Sequence, residues 1–158
     1  MIAPFRETPA STRSMEHEDI TQVSDIERRS YEFPWSHGVF RDCLLAGYHC
    51  VVIEREEQVV GYSILSVAAG EAHILNLCVD PVYRQHGYGE RLLNAIIEYA
   101  EAEDVREMFL EVRPSNVKAI GLYSKKGFRQ IARRPAYYQA VEGREDAAVF
   151  AKSLKRTL

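Results

Sequence analysis

The hydrophobic positions of the chain return with a helical period in four segments. The clearest runs from Gly87 to about Glu103, where leucines, isoleucines and an alanine fall on one side of a helix. A shorter helix is predicted over about 19–31 with Asp19 as its capping residue, and another in the segment that follows Ser36. A fourth is predicted from Asn116 to Lys125, and a glycine two residues later marks its end.

Alternating and continuous apolar runs predict the strands between these helices. Residues 107–112 alternate, so that Glu111 lies on the opposite side of the strand from three apolar residues. The segments 49–54 and 58–67 are joined by a short acidic turn and predict an antiparallel hairpin. The order of the elements indicates a mixed-direction α/β sheet with helices on both faces. Further strands are predicted over 73–79 and near 128–133 and 147–153.

The length of 158 residues indicates a single domain. We expect residues 13–158 to form it and residues 1–12, which contain two prolines and several Ser and Thr residues, to be a flexible tail. No apolar run approaches the roughly 20 residues that span a bilayer, and no secretory signal is visible. Three cysteines without a CxxC pair indicate neither a disulfide framework nor a metal site, and they fit a reducing, cytoplasmic location.

The formal charge of −3 gives no sign of a nucleic-acid-binding protein, but the charge is unevenly distributed. Residues 118–158 hold ten Lys and Arg against three acids, whereas residues 1–117 hold ten against twenty. The basic segment suits an anion such as a phosphate, and a solvated charged surface is an equally good interpretation.

The segment from Val79 to Gly89 combines a strand end, a turn and a helix start. Unpaired N–H groups and the helix dipole favour an anion at such a point, and Gly87 and Gly89 leave the backbone accessible. Arg84 adds a positive charge, so the segment suits a pyrophosphate. A dinucleotide fingerprint is absent because Leu92 stands at its third glycine, and there is no P-loop motif. The alternative is a glycine-containing helix start without a ligand.

Motifs elsewhere in the chain accompany this segment. They are Phe33–Ser36, Leu110–Asn116, Ala119–Tyr123, Lys126–Phe128 and Gly143–Ala147. Together with Arg84-x-x-Gly87-x-Gly89 they closely resemble the GCN5-related N-acetyltransferase (GNAT) superfamily. Within it they resemble the bacterial ribosomal-protein-alanine N-acetyltransferases, over about residues 13–153.

The resemblance implies the GNAT fold and acetyl-CoA as co-substrate, without a metal. The fold is a mixed, mostly antiparallel sheet of about six to seven strands with a central splay, flanked by helices on both faces. The strand before the loop is separated from its neighbour by a bulge, and its backbone pairs with the pantetheine arm. The implied acetyl-CoA contacts are Leu77, Cys78, Val79, Arg84, Gln85, His86, Gly87, Tyr88, Gly89, Glu90, Asn116 and Tyr123. Lys125, Lys126 and Arg129 are candidates for the adenosine 3′-phosphate.

By the same resemblance, Glu111 is the proton acceptor and Tyr123 the proton donor of acetyl transfer. An attacking α-amine must be neutral, and a phenol can donate to the departing sulfur. Taken alone, Glu111 would be interpreted as an ordinary strand residue and Tyr123 as a packed helix aromatic. Asn116 also suits a helix cap, and the two roles are compatible. No cysteine nucleophile is needed, so direct transfer is expected, although Cys78 maps close to the thioester.

The acceptor implied by the resemblance is a protein N-terminus, that of a small-subunit ribosomal protein starting with alanine. Phe33, Trp35, Tyr137 and Tyr138 stand where relatives border the acceptor groove. Neither a nucleic acid nor a membrane is expected as a direct partner. Two alternatives stay open: acetylation of other N-termini, lysines or small amines, and a non-catalytic CoA-binding module.

Overall fold

The computed structural model describes residues 9–154 of the chain. Within this part, no helix is both long enough and apolar enough to cross a membrane. Short 3₁₀ turns lie at His17–Asp19 and Pro81–Tyr83. The helices are α1 (Ile20–Ser30), α2 (His37–Leu45), α3 (Tyr88–Ala102) and α4 (Val117–Lys125). The strands are β1 (Ala10–Ser14), β2 (His49–Arg55), β3 (Gln58–Ala68), β4 (Glu71–Val79), β5 (Glu107–Val112), β6 (Arg129–Gln139) and β7 (Arg144–Ser153).

The seven strands of the described chain form one sheet in the order β1-β2-β3-β4-β5-β7-β6. Each neighbouring pair is antiparallel except β4 and β5, which are parallel. This confirms the predicted mixed, mostly antiparallel sheet and its strand count.

The central splay lies between β4 and β5. Residues Glu71–Ile74 of β4 pair with residues Glu107–Leu110 of β5. Beyond Ile74, β4 continues to Val79 without pairing to β5. Against β3, Ile64 pairs with Asn76 and Leu65 with Ile74, so Leu75 is an extra residue in β4. Such a bulge bends its strand, and here it marks the point at which the parallel ladder ends.

The helices cover the two faces of the sheet and bury one cluster on each. α3 packs Leu92, Leu93 and Ile96 against strand residues on one face, and Tyr123 of α4 belongs to the same cluster. On the other face, α1 packs Ile20, Val23 and Ile26 with Phe40, Tyr62 and Ile64. The helical period predicted these buried faces, because the residues on one side of each helix are the ones that leave water.

The C-terminal hairpin is longer than predicted. β6 runs to Gln139 rather than about 133, and β7 begins at Arg144 rather than about 147. The sequence suggests a break because Pro135 has no N–H to donate. The structure accommodates it at a sheet edge, with a register shift between Arg134 and Tyr138.

Two predictions at the N-terminus need correction. Residues 10–12, assigned to the tail, lie in β1 and pair with β2, whereas residues 1–8 lie outside the described part of the chain. Asp19 precedes α1 but does not cap it with its side chain. Its carboxylate instead accepts two hydrogen bonds from Arg13, at 2.7 and 2.9 Å, and one from the backbone N–H of Glu16.

Candidate active site

A cleft of about 510 Å³ opens where β4 and β5 separate. Its walls come from the loop between α1 and α2, the free ends of both strands, the start of α4 and the β6–β7 hairpin. Among the predicted site residues, Cys78, Val79, residues 84–90 and Tyr137 do not line it. Those that do are Phe33, Trp35, Leu77, Glu111, Asn116, Tyr123 and Tyr138.

Glu111 lies in the wall of the cleft, on the side of β5 that the alternation predicted. Its side chain is 7% exposed, and its Oε2 atom contacts Nε2 of His73 on β4. The guanidinium of Arg134 approaches Oε1 to 3.5 Å. A second hollow of about 300 Å³ lies beside the carboxylate and is lined also by His73, Phe109 and Arg134. The carboxylate is therefore held by two basic side chains that the sequence did not single out.

Tyr123 comes from α4 and is 7% exposed. Its ring packs edge-on against Phe128, with the centroids 5.7 Å apart. Burial, with a smaller contribution from Cys78, raises the pKa of the Tyr123 phenol above its ordinary value of 10. The hydroxyl therefore keeps its proton at neutral pH and is available as a donor in the cleft.

Cys78 is buried among hydroxyl groups rather than exposed in the cleft. Its residue is 4% exposed and belongs to the cluster between the sheet and α1. Burial raises the pKa of the thiol, although Ser30, Tyr62 and Tyr31 hydrogen-bond with it and act in the opposite direction. The neutral thiol that results is a poor nucleophile, so only the backbone of Cys78 is suited to a ligand.

The sequence analysis did not single out Tyr31, which lines the cleft directly after α1. Burial, followed by Cys78, raises the pKa of its phenol well above the ordinary value. The residue as a whole is 38% exposed, so its ring faces the cleft while its hydroxyl points inwards. The motif Phe33–Ser36 marked the neighbouring loop, but no pattern in the sequence marked this tyrosine.

The loop after β4 leads from the cleft to the start of α3. Arg84 donates from Nε to the carbonyl of Val79 at 3.3 Å, and Nδ1 of His86 lies 2.9 Å from the Arg84 carbonyl. Gly87 is the N-cap residue of α3 with φ +78°, and no side chain caps this helix. A Cβ built on Gly87 would meet no atom within 4 Å. The space beside Gly87 at the start of α3 is therefore open, whereas Tyr88 turns its side chain into the core.

Asn116 and the lysines at the end of α4 are engaged within the protein. The Asn116 side chain caps α4 by accepting from Ala119 N–H at 3.3 Å, which is one of its two predicted roles. Glu90 forms ion pairs with Lys126 at 2.8 Å and Lys125 at 3.1 Å. The two lysines, followed in sequence by an exposed Arg129, thus neutralise a carboxylate at the start of α3.

The β6–β7 hairpin brings Tyr138 to the cleft. Its ring lies under the guanidinium of Arg113 at 4.5 Å and packs edge-on against Tyr137 at 4.8 Å. Burial, with Tyr137 and Glu111 contributing, raises the pKa of the Tyr138 phenol. Tyr137 is 42% exposed and lies outside the cleft lining.

Of the two acids in the Gly143–Ala147 motif, Glu145 ties the hairpin to the segment after β5, and Asp146 ties β7 to β6 within the hairpin. Glu145 accepts from Arg113 at 3.2 Å and from the backbone N–H of Ser115 at 3.3 Å. Asp146 accepts from the N–H of Ala136 at 2.9 Å and from Arg133 at 2.8 Å. The motif therefore positions the cleft wall rather than the reacting groups.

Comparison with known proteins gives consistent results. Residues 20–128 match the model of the acetyltransferase (GNAT) family. The chain is 36% identical to the [ribosomal protein bS18]-alanine N-acetyltransferase of Escherichia coli K12 over 138 residues, which cover 87% of this chain and 93% of that protein.

Two solved structures show the same fold. The crystal structure of the ribosomal-protein-S18-alanine N-acetyltransferase from Escherichia coli superposes with a TM-score of 0.89 at 33% identity, covering 95% of this chain and 97% of the other. Ard1 from Thermoplasma volcanium superposes with a TM-score of 0.84 at 26% identity, covering 93% and 99%. The chain belongs to the acetyltransferase (GNAT) family, as its motifs predicted.

Proposed function

We propose that the protein transfers the acetyl group of acetyl-CoA to the N-terminal α-amine of a small-subunit ribosomal protein that begins with alanine. The main observation that supports this proposal is that one cleft at the β4–β5 splay holds both a buried carboxylate, Glu111, and a buried phenol, Tyr123. The acceptor is inferred from relatives named as acting on the alanine of ribosomal protein bS18.

The open part of β4 fits the arm of the coenzyme. Beyond Ile74 the strand has no β5 partner, so the backbone of Leu77, Cys78 and Val79 is free to pair with an extended amide-containing chain. Leu77 also lines the cleft itself.

The start of α3 fits the pyrophosphate. Uncapped N–H groups at a helix N-terminus, approached across a glycine, bind anions. Gln85 and Gly87 have positive φ angles, 68° and 78°, which turn the loop around this point. The proposed phosphate contacts are Arg84, Gln85, His86, Gly87, Tyr88, Gly89 and Glu90. Tyr88 and Glu90 contribute their backbone alone, because the Tyr88 side chain is buried and the Glu90 carboxylate is paired with two lysines.

Glu111 is the proposed proton acceptor. An α-amine has a reference pKa of about 7.7–8.0 and attacks only after losing its proton. The Glu111 carboxylate in the cleft wall receives that proton, directly or through a water molecule. His73 and Arg134 contact the carboxylate and fix its orientation.

Tyr123 is the proposed proton donor. The coenzyme supplies an activated thioester, so the new C–N bond forms as the C–S bond breaks and CoA leaves as a thiol. The leaving sulfur takes a proton from the Tyr123 hydroxyl, which its raised pKa keeps protonated until then. The proton that the nitrogen loses as the amide forms restores the tyrosine. Asn116, at the same end of α4, is proposed to contact the coenzyme beside it.

Aromatic residues on two sides of the cleft are the proposed acceptor contacts. Phe33 and Trp35 lie on the α1–α2 loop, and Tyr138 faces them from the hairpin. Tyr137 lies further out and meets the chain that follows the first acceptor residue.

The test is mass spectrometry of purified small-subunit ribosomal proteins incubated with the enzyme and acetyl-CoA. We expect a gain of one acetyl group on the α-amine of an N-terminal alanine, located by fragmentation. The same protein with its N-terminus already blocked is the matched control and should gain nothing. Acetylation confined to lysine side chains, or coenzyme binding without transfer, would contradict the proposal.

A further inference from the structure

A buried carboxylate that the proposed reaction does not use lies at the base of the cleft. Glu27, on α1, is 2% exposed and contributes to the cleft lining. Its Oε1 accepts from the hydroxyl of Tyr62 at 2.6 Å and from the side-chain amide of Asn76 at 2.9 Å. Its Oε2 accepts from the backbone N–H of Trp35 at 2.8 Å.

These three donors come from three separate parts of the fold. Tyr62 belongs to β3, Asn76 to the open part of β4, and Trp35 to the α1–α2 loop. Asn76 follows the bulged residue Leu75, at the point where β4 leaves β5. Glu27 therefore joins the two sides of the cleft that are proposed to receive the acceptor and the coenzyme.

Three aromatic rings also connect Trp35 to Tyr62 by packing. The Trp35 ring lies 5.3 Å from Phe40, and Phe40 lies edge-on to Tyr62 at 5.5 Å. The Tyr62 hydroxyl then returns to Glu27. The position of Trp35 is thus set at its backbone by the carboxylate and at its ring by the core.

We propose that Glu27 is a positioning residue that ties the α1–α2 loop to the open edge of β4, and so sets acceptor affinity without touching the reacting atoms. Within residues 9–154 no Lys, Arg or His forms an ion pair with it, so hydrogen-bond donors alone hold its carboxylate. This inference rests on the proposed function, because it takes the loop as the acceptor side.

The carboxylate form is suited to this task because of its acceptor capacity. A carboxylate has two accepting oxygens, whereas a glutamine has one accepting oxygen and a donating NH₂ group. In Glu27→Gln, the oxygen can satisfy Tyr62 and Asn76, and the NH₂ group then faces the N–H of Trp35. The opposite orientation requires both the Tyr62 hydroxyl and the Asn76 amide to turn and accept instead of donate. We therefore expect the substitution to release the loop in preference to the strands.

Tyr62→Phe is the matched control. It removes one donor from the same carboxylate but leaves the Trp35 bond on the other oxygen. It also keeps the ring that packs against Phe40. Both variants lose a buried hydrogen bond, and only one of them loosens the loop.

Steady-state kinetics separate the two effects. In Glu27→Gln we expect the KM for an acceptor peptide to rise about tenfold or more, as loss of a hydrogen bond to a charged group implies. The KM for acetyl-CoA should stay within about twofold of the wild-type value, which is under the cost of one hydrogen bond. Tyr62→Phe should leave both constants close to wild type. Equal rises of the acceptor KM in the two variants, or an equal rise of both constants in Glu27→Gln, would overturn the proposal.

Trp35 is the only tryptophan of the chain and reports on the loop without an activity assay. We expect acrylamide to quench its fluorescence more strongly in Glu27→Gln than in wild type or Tyr62→Phe. The backbone amide of Trp35 in the wild-type protein should also exchange its hydrogen far more slowly than an amide of an unstructured chain. This measurement does not depend on the folding of any variant.

Exchange of the Trp35 amide at the rate of an unstructured chain, or unchanged quenching in Glu27→Gln, would contradict the proposed link between Glu27 and the α1–α2 loop. Failure to acetylate any N-terminal peptide would contradict the proposed function. The two failures are thus distinguishable, because the fluorescence and exchange measurements require no acceptor.

Discussion

Glu111 and Tyr123 are twelve positions apart in the sequence and reach one cleft from two different elements, β5 and α4. Glu111 depends on the alternation of β5, and Tyr123 on the rotation of α4 that places it against Phe128. The Glu111 side chain and Tyr123 are each 7% exposed. In such poorly hydrated surroundings a hydrogen bond is electrostatically stronger than in water.

Replacing Glu111 with Gln should lower kcat by about a hundredfold or more, because general base catalysis contributes about that much. The affinity for acetyl-CoA, measured by calorimetry, should stay near wild type. Glu32→Gln is the control, since Glu32 is an exposed carboxylate that lines the same cleft. An unchanged kcat in Glu111→Gln would remove its proposed role.

Replacing Tyr123 with Phe should slow acetyl transfer by about tenfold to a hundredfold, since the ring remains and only the donor is lost. Because burial raises its pKa above 10, Tyr123 itself should cause no loss of rate between pH 7 and 10. The difference between wild type and variant should therefore be constant over that range in single-turnover experiments. Tyr48→Phe changes an exposed tyrosine outside the cleft and is the matched control. Full activity in Tyr123→Phe would leave Tyr123 with a packing role alone.

The sequence pointed to the side chains proposed to react but not to those that hold them. Glu111 and Tyr123 lie in motifs, whereas His73 reaches Glu111 only because β4 and β5 pair in parallel with His73 opposite Phe109. Arg134 depends likewise on the position of β6. Contacts of this kind follow from strand register, which local periodicity does not specify.

At the scale of elements, the open end of β4 leads through one loop to the start of α3. Periodicity located both elements, but the end of the parallel ladder at Ile74 depends on the bulge at Leu75. The family resemblance supplied that feature, and a bulge has no periodic signature of its own. The extension of β6 past Pro135 was missed because a proline normally indicates a break in a strand. The edge position of β6 tolerates it here.

Gly87 tests the start of α3. Replacing it with Val should weaken CoA binding about tenfold, because the side chain enters the space that faces the first-turn N–H groups. Gly47→Val is the matched control, since Gly47 has the same φ of +78° with nothing within 4 Å. Both variants carry the strain of a left-handed conformation, about 1–2 kcal/mol. Calorimetry should show weaker CoA binding in Gly87→Val alone, and equal affinities in the two variants would place the phosphates elsewhere.

At the scale of the whole molecule, the sheet carries a buried cluster on each face and opens into a cleft where β4 and β5 part. The N-terminal strand joins this body through Arg13, which lies between Asp19 and Glu54. The sequence predicted the two faces from helical periodicity. It assigned the first residues of β1 to a flexible tail, because the five residues of this strand have little hydrophobic pattern.

The Arg13–Asp19 pair should make stability depend on pH in the acid range. Arg13 is the main cause that lowers the pKa of Asp19 below its ordinary value of 3.8. A carboxyl whose folded-state pKa is depressed stabilises the fold above the unfolded pKa, and this stabilisation is lost as the pH falls through the folded pKa. Asp19→Asn should therefore cost about 1.5–3 kcal/mol at pH 7, measured by urea unfolding. The difference from wild type should shrink below pH 3.8, and a pH-independent difference would contradict this account.

The most direct test of the central claim is a crystal structure of the protein with CoA bound. The account predicts that the pantetheine arm pairs with the backbone at Leu77–Val79 and that the pyrophosphate meets the start of α3. The sulfur should lie within hydrogen-bond reach of the Tyr123 hydroxyl, with the Glu111 carboxylate facing the acceptor side of the same cleft. A coenzyme bound away from the β4–β5 opening, or a sulfur remote from both side chains, would contradict it.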